Sequence, residues 1–228
     1  MIFIGIDDTD TLQSRGTGRL ARQIAGYLAE QFTVLGVTRH QLLVDPQIPY
    51  TKNNSSAAIH LISGAETDLQ SIFEQVRQLM LADFQEGSDP GLCVAANVPS
   101  RIREFGHRAK LEVLDVDEAL QLAEKSNILL AGLGGTQAGR IGALAAVGLA
   151  STGEDGRFIQ IGRIRELSGL MSVESALAAG IASIQTLEGT QINSGYLQGD
   201  KLRPSLRNGS AVLYVSRQEQ HWQPLKLD

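Results

Sequence analysis

Ile2-Phe3-Ile4-Gly5-Ile6-Asp7-Asp8-Thr9-Asp10 opens the chain, an apolar run that ends abruptly in carboxylates, and Arg15-Gly16-Thr17-Gly18 leads from it into a periodic apolar stretch. Residues 2–6 read as a buried strand, and Leu20, Ile24, Ala25, Leu28 and Phe32 recur at helical spacing after the turn. A strand, a turn and a helix therefore come first, with the acids at the strand's end. Working outward, residues 42–44 and 57–62 read as strands around a polar loop. Leu69, Ile72, Phe73, Val76, Leu79 and Met80 mark one face of a helix, and residues 92–96 a short strand. The order is βαββαβ, the split βαβ or ferredoxin-like arrangement, whose helices cover one face of an antiparallel sheet.

The second half echoes that order without a residue-level repeat. Strands are expected at 128–133 and 158–164, helices at 141–150 and 173–182, and extended pieces at 191–197 and 211–215, the last two separated by the polar stretch 199–210. The fold class predicted is α+β, with two βαββαβ-type, ferredoxin-like lobes, antiparallel or mixed sheets and helices on one face. Residues 97–117, with Pro99, are the expected junction, which gives domains at 1–110 and 111–228.

With 228 residues, 43% hydrophobic and 20% charged, the chain can bury a sizeable core. The apolar run at 1–6 is too short for a membrane span and has no basic leader, so cytoplasmic residence without a membrane partner is expected. A single cysteine, Cys93, excludes an internal disulfide framework. His40, His60, His107 and His221 lack ligand spacing, which argues against structural zinc. The net charge of −5 excludes a surface that wraps nucleic acid as a whole, since phosphate neutralisation supplies most non-specific affinity. Arg101, Arg103, His107, Arg108 and Lys110 form a local basic cluster that reads either as a solvated face or as a contact for a phosphate-rich ligand.

Carboxylates crowded at a strand end repel one another unless a cation joins them, and the usual one is Mg²⁺ carrying substrate phosphates. Asp and Thr after a strand are also ordinary turn formers and helix caps, so both readings stand on these residues alone. A calcium loop counted from Asp8 fails, because Leu12 stands where an oxygen ligand belongs and the sixth position lacks glycine. The densest glycine stretch, Gly132-Leu133-Gly134-Gly135-Thr136-Gln137-Ala138-Gly139-Arg140-Ile141-Gly142, lies between a strand and a helix, where backbone N–H groups can hold an anion. It misses the dinucleotide pattern at Gln137 and the P-loop pattern at Arg140 and Ile141. Tight turning and close helix packing explain the same glycines. Lys52 is the one cation in the polar loop Ile48-Pro49-Tyr50-Thr51-Lys52-Asn53-Asn54-Ser55-Ser56.

Taken together, Gly5-Ile6-Asp7-Asp8-Thr9-Asp10, Ile48-Pro49-Tyr50 with its Lys/Asn loop, and Gly139-Arg140-Ile141-Gly142-Ala143-Leu144-Ala145-Ala146-Val147-Gly148 resemble the archaeal tRNA(Ile) agmatinylcytidine synthetase family, in order and across the chain. The resemblance implies a kinase-like ATP- and metal-binding domain over 1–110 followed by a ferredoxin-like domain over 111–228. It also implies activation of a cytidine carbonyl oxygen by ATP and displacement of the phosphate by agmatine. Asp7, Asp8 and Asp10 take the metal and catalytic role on this basis, with Thr17 matching the family's phosphate-receiving threonine. Thr9, Arg15, Gly134, Gly135, Gly139, Arg140 and Gly142 are assigned to the nucleotide. Lys52 stands one place later than the family lysine after Pro-Tyr. Full-length members continue into a nucleic-acid-binding barrel and a cysteine-bearing zinc ribbon, and residues 156–163 here lack the acids and histidine of the family.

The expectation is thus a shortened relative: an Mg²⁺- and ATP-dependent phosphotransferase or ATP-cleaving, ligase-like enzyme acting on a small-molecule or nucleotide substrate rather than on tRNA alone. An aspartyl-phosphate phosphatase is the competing enzyme class, but Leu12 occupies its Thr/Val position. The non-enzymatic alternative is a nucleotide- or small-molecule-binding module, or a subunit that borrows RNA-binding parts from a partner.

Overall fold

Strand β1 (Ile2–Asp7) pairs antiparallel with β3 (Ser55–Ile62) on one side and with β4 (Gly91–Ala95) on the other. β2 (Thr33–Gln41) extends the sheet beyond β3, and β5 (Leu129–Gly132) extends it beyond β4. With α1 (Thr17–Leu28) joining β1 to β2 and α2 (Leu69–Ala82) joining β3 to β4, the strand order β4-β1-β3-β2 is the ferredoxin-like one, antiparallel throughout. The computed structural model describes the chain apart from Lys52, Ser63, Ala65, Glu66 and Asp228, and divides it into two compact units, Met1–Thr152 and Gly153–Asp228. Its six α-helices, counted among the described residues, and its mostly antiparallel pairing place it in the α+β class.

The first unit adds a third layer. Ile2, Ile4 and Ile6 are buried on one sheet face, where Leu20, Ile24 and Leu28 of α1 and Ile72, Val76 and Met80 of α2 are also buried. Phe3, Gly5 and Asp7 alternate onto the other face. There α5 (Gly139–Thr152) lies directly on β1, because Gly5 has no side chain: a Cβ on it would come within 2.1 Å of the Ala143 carbonyl oxygen. Helix α5 is apolar nearly all round, as a helix covered on every side must be. Its outer side is closed by α3 (Ser100–Arg108) and α4 (Val116–Lys125), whose Ile102, Phe105, Ala119 and Ala123 join Ala143, Leu144, Val147 and Leu149 in one core. Each large aliphatic side chain buried there contributes on the order of 1.5–3 kcal/mol of transfer free energy.

The units part at Thr152 and Gly153, whereas the sequence placed a junction at 110 and 111. That position falls between α3 and α4 inside the first unit, because α5 can be buried only if α3 and α4 pack over it. Residues 42–44 are not a strand: Leu42 N–H donates to the Asn54 carbonyl (2.9 Å) and Leu43 N–H to the Ala109 carbonyl (3.0 Å), drawing this segment toward the end of α3. Phe32 lies beyond α1, which ends at Leu28.

The second unit does not repeat the βαββαβ order. β6 (Arg157–Ile161) pairs with β10 (Ser205–Arg207), and β10 with β11 (Ser210–Gln218), alongside which β8 (Ser183–Gln185) runs parallel. β11 turns back as β12 (His221–Pro224), which joins β9 (Tyr196–Gly199), and β9 pairs with β7 (Gly169–Ser172). One short helix, α6 (Val173–Ala178), packs into a core of Ile164, Met171, Val173, Ile184, Leu197, Leu213 and Val215. The helix predicted over 173–182 is thus shorter, and the polar stretch 199–210 contains a strand. No helix among the described residues is long and apolar enough to cross a membrane.

Candidate functional site

The acidic tip is built where β1 leaves the sheet. Asp7 is the last strand residue, and Asp8 follows in the left-handed region at φ 48°, a conformation that costs a non-glycine residue on the order of 1 kcal/mol or more and persists only when neighbours enforce it. Asp10 then ties the tip to the start of α1. Its Oδ1 accepts from Thr17 N–H (3.3 Å) and from the Thr17 hydroxyl (2.9 Å), and its Oδ2 accepts from the Thr51 hydroxyl (3.0 Å). Thr17 Oγ1 in turn accepts from Thr9 N–H (3.3 Å) and lies 3.1 Å from the Thr9 hydroxyl. Asp10 therefore caps α1, whose own N-cap residue, Gly16, has no side chain to do so.

Asp7 and Asp8 are held differently. Burial first, then repulsion by Asp8 and more weakly by Asp10 and Asp89, pushes the Asp7 carboxyl up to about 8 against a backbone hydrogen bond that lowers it. Asp8 is pushed up to about 6 by burial and by the charges of Asp89 and Asp10. Although Asp7 as a residue is only half-buried, its carboxyl is pressed against α5: a Cβ at Gly142 would lie 1.7 Å from Asp7 Oδ2. At neutral pH Asp7 is held mostly protonated.

The glycine turn sits beside these acids, and two of its amides are taken by a third acid. Asp89 Oδ2 accepts from Thr136 N–H (3.0 Å), Ala138 N–H (3.1 Å) and the Thr136 hydroxyl. Gly135, Gly139 and Gly142 serve close packing against Asp89, Gly91 and Asp7, while Gly134 packs against Phe84. Arg140 is half-buried, its Nε without a hydrogen-bond partner among the described residues. Arg15 is exposed in the loop before α1, and Lys52 lies outside the described residues.

A cleft of about 280 Å³ opens from this tip. Asp7, Asp8, Asp10, Thr17, Gly139 and Gly142 line its acidic end, and Leu42, Ile48, Pro49, Tyr50, Val113 and Ile141 an apolar wall. The structure thus brings the three predicted acids, Thr17 and two of the predicted glycines to one cavity. Asp89 and Thr51 were missed by sequence reasoning: Asp89-Pro90-Gly91 reads as an ordinary turn, and Thr51 as one of several loop hydroxyls. In the basic cluster, Arg108 is taken by Glu112 and Glu118, and Arg101 reaches the Lys125 carbonyl (3.2 Å). Among the described residues no group of three or more His, Cys, Asp or Glu side chains forms a ready metal cage. An ion that takes one or two carboxylates and fills its shell with water and phosphate oxygens suits all-oxygen donors that repel one another.

The tRNA(Ile2) 2-agmatinylcytidine synthetase TiaS of Thermococcus sibiricus is 28% identical over 156 residues, which cover 64% of this chain and 35% of that protein. Protein MJ0921 of Methanocaldococcus jannaschii is 29% identical over 153 residues, covering 65% of this chain and 50% of its own. Among solved structures, a TiaS–tRNA(Ile2)–ATP complex matches with a TM-score of 0.57 and 28% identity over 64% of this chain and 36% of that one. A TiaS–tRNA(Ile2)–AMPCPP–agmatine complex matches with a TM-score of 0.55 and 26% identity over 64% and 35%. The matched part therefore spans between a third and a half of these relatives. The pattern of the TiaS TCKD domain covers residues 3–135, more than half of the chain, and the protein belongs to that family.

Proposed function

We propose that the first unit binds ATP as its Mg²⁺ complex at the acidic tip and acts as a phosphotransferase or ATP-cleaving, ligase-like enzyme on an acceptor other than tRNA alone. The observation that carries this reading is the gathering of Asp7, Asp8 and Asp10 with the Thr17 hydroxyl at one end of a single cleft. Relatives crystallised with ATP or AMPCPP support it.

Asp7 and Asp8 would hold Mg²⁺, which when bound offsets the charge of the phosphoryl group in transfer. Asp10 has a different task. It takes the proton side of the Thr17 hydroxyl at 2.9 Å, within the reach of a general base. Thr17 Oγ1 also receives the Thr9 amide and faces the Thr9 hydroxyl. For Thr17 to accept phosphate, the Thr9 hydroxyl must turn away and release a lone pair. The apolar wall with Tyr50 supplies dry surface for a nucleoside or acceptor. Arg15 and Lys52 are the cations placed by sequence to meet phosphate oxygens.

Titration calorimetry with ATP and Mg²⁺ on the wild type and Asp8→Asn tests the reading. Weaker binding by Asp8→Asn, tenfold or more, is expected, whereas equal binding by both proteins removes the acids from the site. Binding without any ATP turnover, together with co-purification of a basic or zinc-binding partner, would instead favour a binding subunit.

A further inference from the structure

We propose that Asp89 is a positioning residue of the acidic tip: it plugs the glycine turn from within, holds Asp8 in its left-handed conformation and keeps substrate phosphates out of the turn. The first observation is the set of bonds at one carboxylate oxygen. Two turn amides on either side of Gln137, those of Thr136 and Ala138, and the Thr136 hydroxyl all point at Asp89 Oδ2, the arrangement with which a backbone nest at a helix start receives an oxyanion. Here the oxyanion is the protein's own. The second observation is on the main chain of the same residue, where Asp89 N–H donates to the Asp8 carbonyl (3.1 Å). One residue therefore grips the turn with its side chain and the acidic tip with its backbone.

The turn's glycines fit this task. Gly135, at φ 55°, would place a Cβ 2.9 Å from the Asp89 carboxyl carbon, and Gly139 would place one 2.1 Å from the Asp89 carbonyl oxygen. Both positions are bare so that the segment carrying Asp89 can lie against the start of α5. Asp89 Oδ1 is buried and has no hydrogen-bond partner among the described residues, so one oxygen does the binding. An asparagine could reproduce that single acceptor. Alanine could not, and it would leave two amides aimed at an open nest.

Amide NMR of the full chain, comparing the wild type with Asp89→Asn and Asp89→Ala, tests this role, with inorganic phosphate and ATP·Mg²⁺ as separate probes. In Asp89→Ala the resonances of Asp8 and Thr9 are expected to move together with those of Thr136 and Ala138. The latter two amides should exchange at least tenfold faster and shift when phosphate is added. Asp89→Asn is expected to restore all four to near wild-type values and to bind ATP·Mg²⁺ within about threefold of wild type, while Asp89→Ala binds at least tenfold more weakly. Should Asp89→Ala fail to fold, Thr136→Val removes one of the three donors and is expected to displace Asp8 and Thr9 to a lesser extent. Unmoved Asp8 and Thr9 resonances in the folded variant, or wild-type turn amides that already respond to phosphate, overturn the proposal. The ATP comparison rests on the nucleotide reading above. A wild type that binds no ATP defeats that reading alone, since the amide shifts decide the role of Asp89 without nucleotide.

Discussion

Replacing Asp7 by asparagine should make the protein more stable and, on the nucleotide reading proposed above, weaken binding of ATP·Mg²⁺. The Asp7 carboxyl is pushed from 3.8 in the unfolded chain to about 8 in the folded one, by burial and then by its acidic neighbours. The folded state thus binds more protons than the unfolded state between these limits, and stability falls as pH rises through the window. At about 1.4 kcal/mol per pH unit, the distance from 3.8 to pH 7 sets a ceiling of about 4 kcal/mol on what asparagine relieves. Asp8 already carries a proton part of the time and shares the repulsion, so an increase of about 2 kcal/mol is expected, or roughly 4–8 °C in melting temperature for a unit of this size. The pH dependence gives a second measure. Between pH 6.5 and 8 the wild type should lose about 1.5 kcal/mol through this one group, and Asp7→Asn should not show that loss. Thermal melts of both proteins across that range provide the assay. An asparagine variant no more stable than wild type at pH 8, or a wild type whose stability is flat from pH 6.5 to 8, would refute the claim that this carboxyl is electrostatically strained.

Gly142→Ala should destabilise despite alanine's helix propensity, because the roughly 1 kcal/mol gained from propensity is outweighed by a Cβ placed 1.7 Å from Asp7 Oδ2, an overpacking cost of about 1–3 kcal/mol. Calorimetry should show weaker ATP·Mg²⁺ binding in the same variant, and undiminished affinity would separate α5 from the site. Between β2 and β3 Thr38 Oγ1 bridges His40 Nε2 and His60 Nε2, each at 2.8 Å, and burial and then the neighbouring His40 push His60 down to about 3. The unfolded imidazole, near 6.5, binds the proton first, so His60 costs stability as pH falls below 6.5 toward 3. The stability difference between wild type and His60→Leu should therefore move against the wild type by about 1.4 kcal/mol per pH unit in that window, and a constant difference in denaturant melts would exclude it.

Local pattern made the centre of the first unit legible. Apolar β1 with acids at its tip, the periodic α1 and α2, and the β3 and β4 runs suffice for the central β4-β1-β3 order, because a chain of this pattern with right-handed crossovers has few other ways to close an antiparallel sheet. β2 escaped notice for a local reason. Its register with β3 shifts between Val34 and Gly36, which breaks the period-two alternation that marks a strand. Helix α3 is short and largely charged, and it buries only Ile102, Phe105 and Gly106. Its pattern is that of a loop until α5 is there to receive it. The apolar stretch from Ile141 onward reads as a helix, yet nothing local says that it is roofed by residues before it and seated on a strand over a hundred residues away.

The site divides in the same way. Carboxylates in a row announce themselves, but their separate tasks depend on partners that only the fold supplies. Asp10 stands two residues after Asp8 and is equal to it in chemistry, yet its oxygens accept from Thr17 and Thr51. Asp7 and Asp8 are instead raised by burial and by neighbouring carboxylates, with one backbone hydrogen bond at Asp7 as the opposing influence. The glycine turn looks like a phosphate loop because two of its amides converge on an oxyanion, and in the folded chain that oxyanion is Asp89. On the nucleotide reading proposed above, phosphate groups entering the cleft would be met by a cation on Asp7 and Asp8 and by the side of the cavity toward α1. This assignment follows from hydrogen-bond partners already satisfied, and no spacing of acids or glycines along the chain could have supplied it.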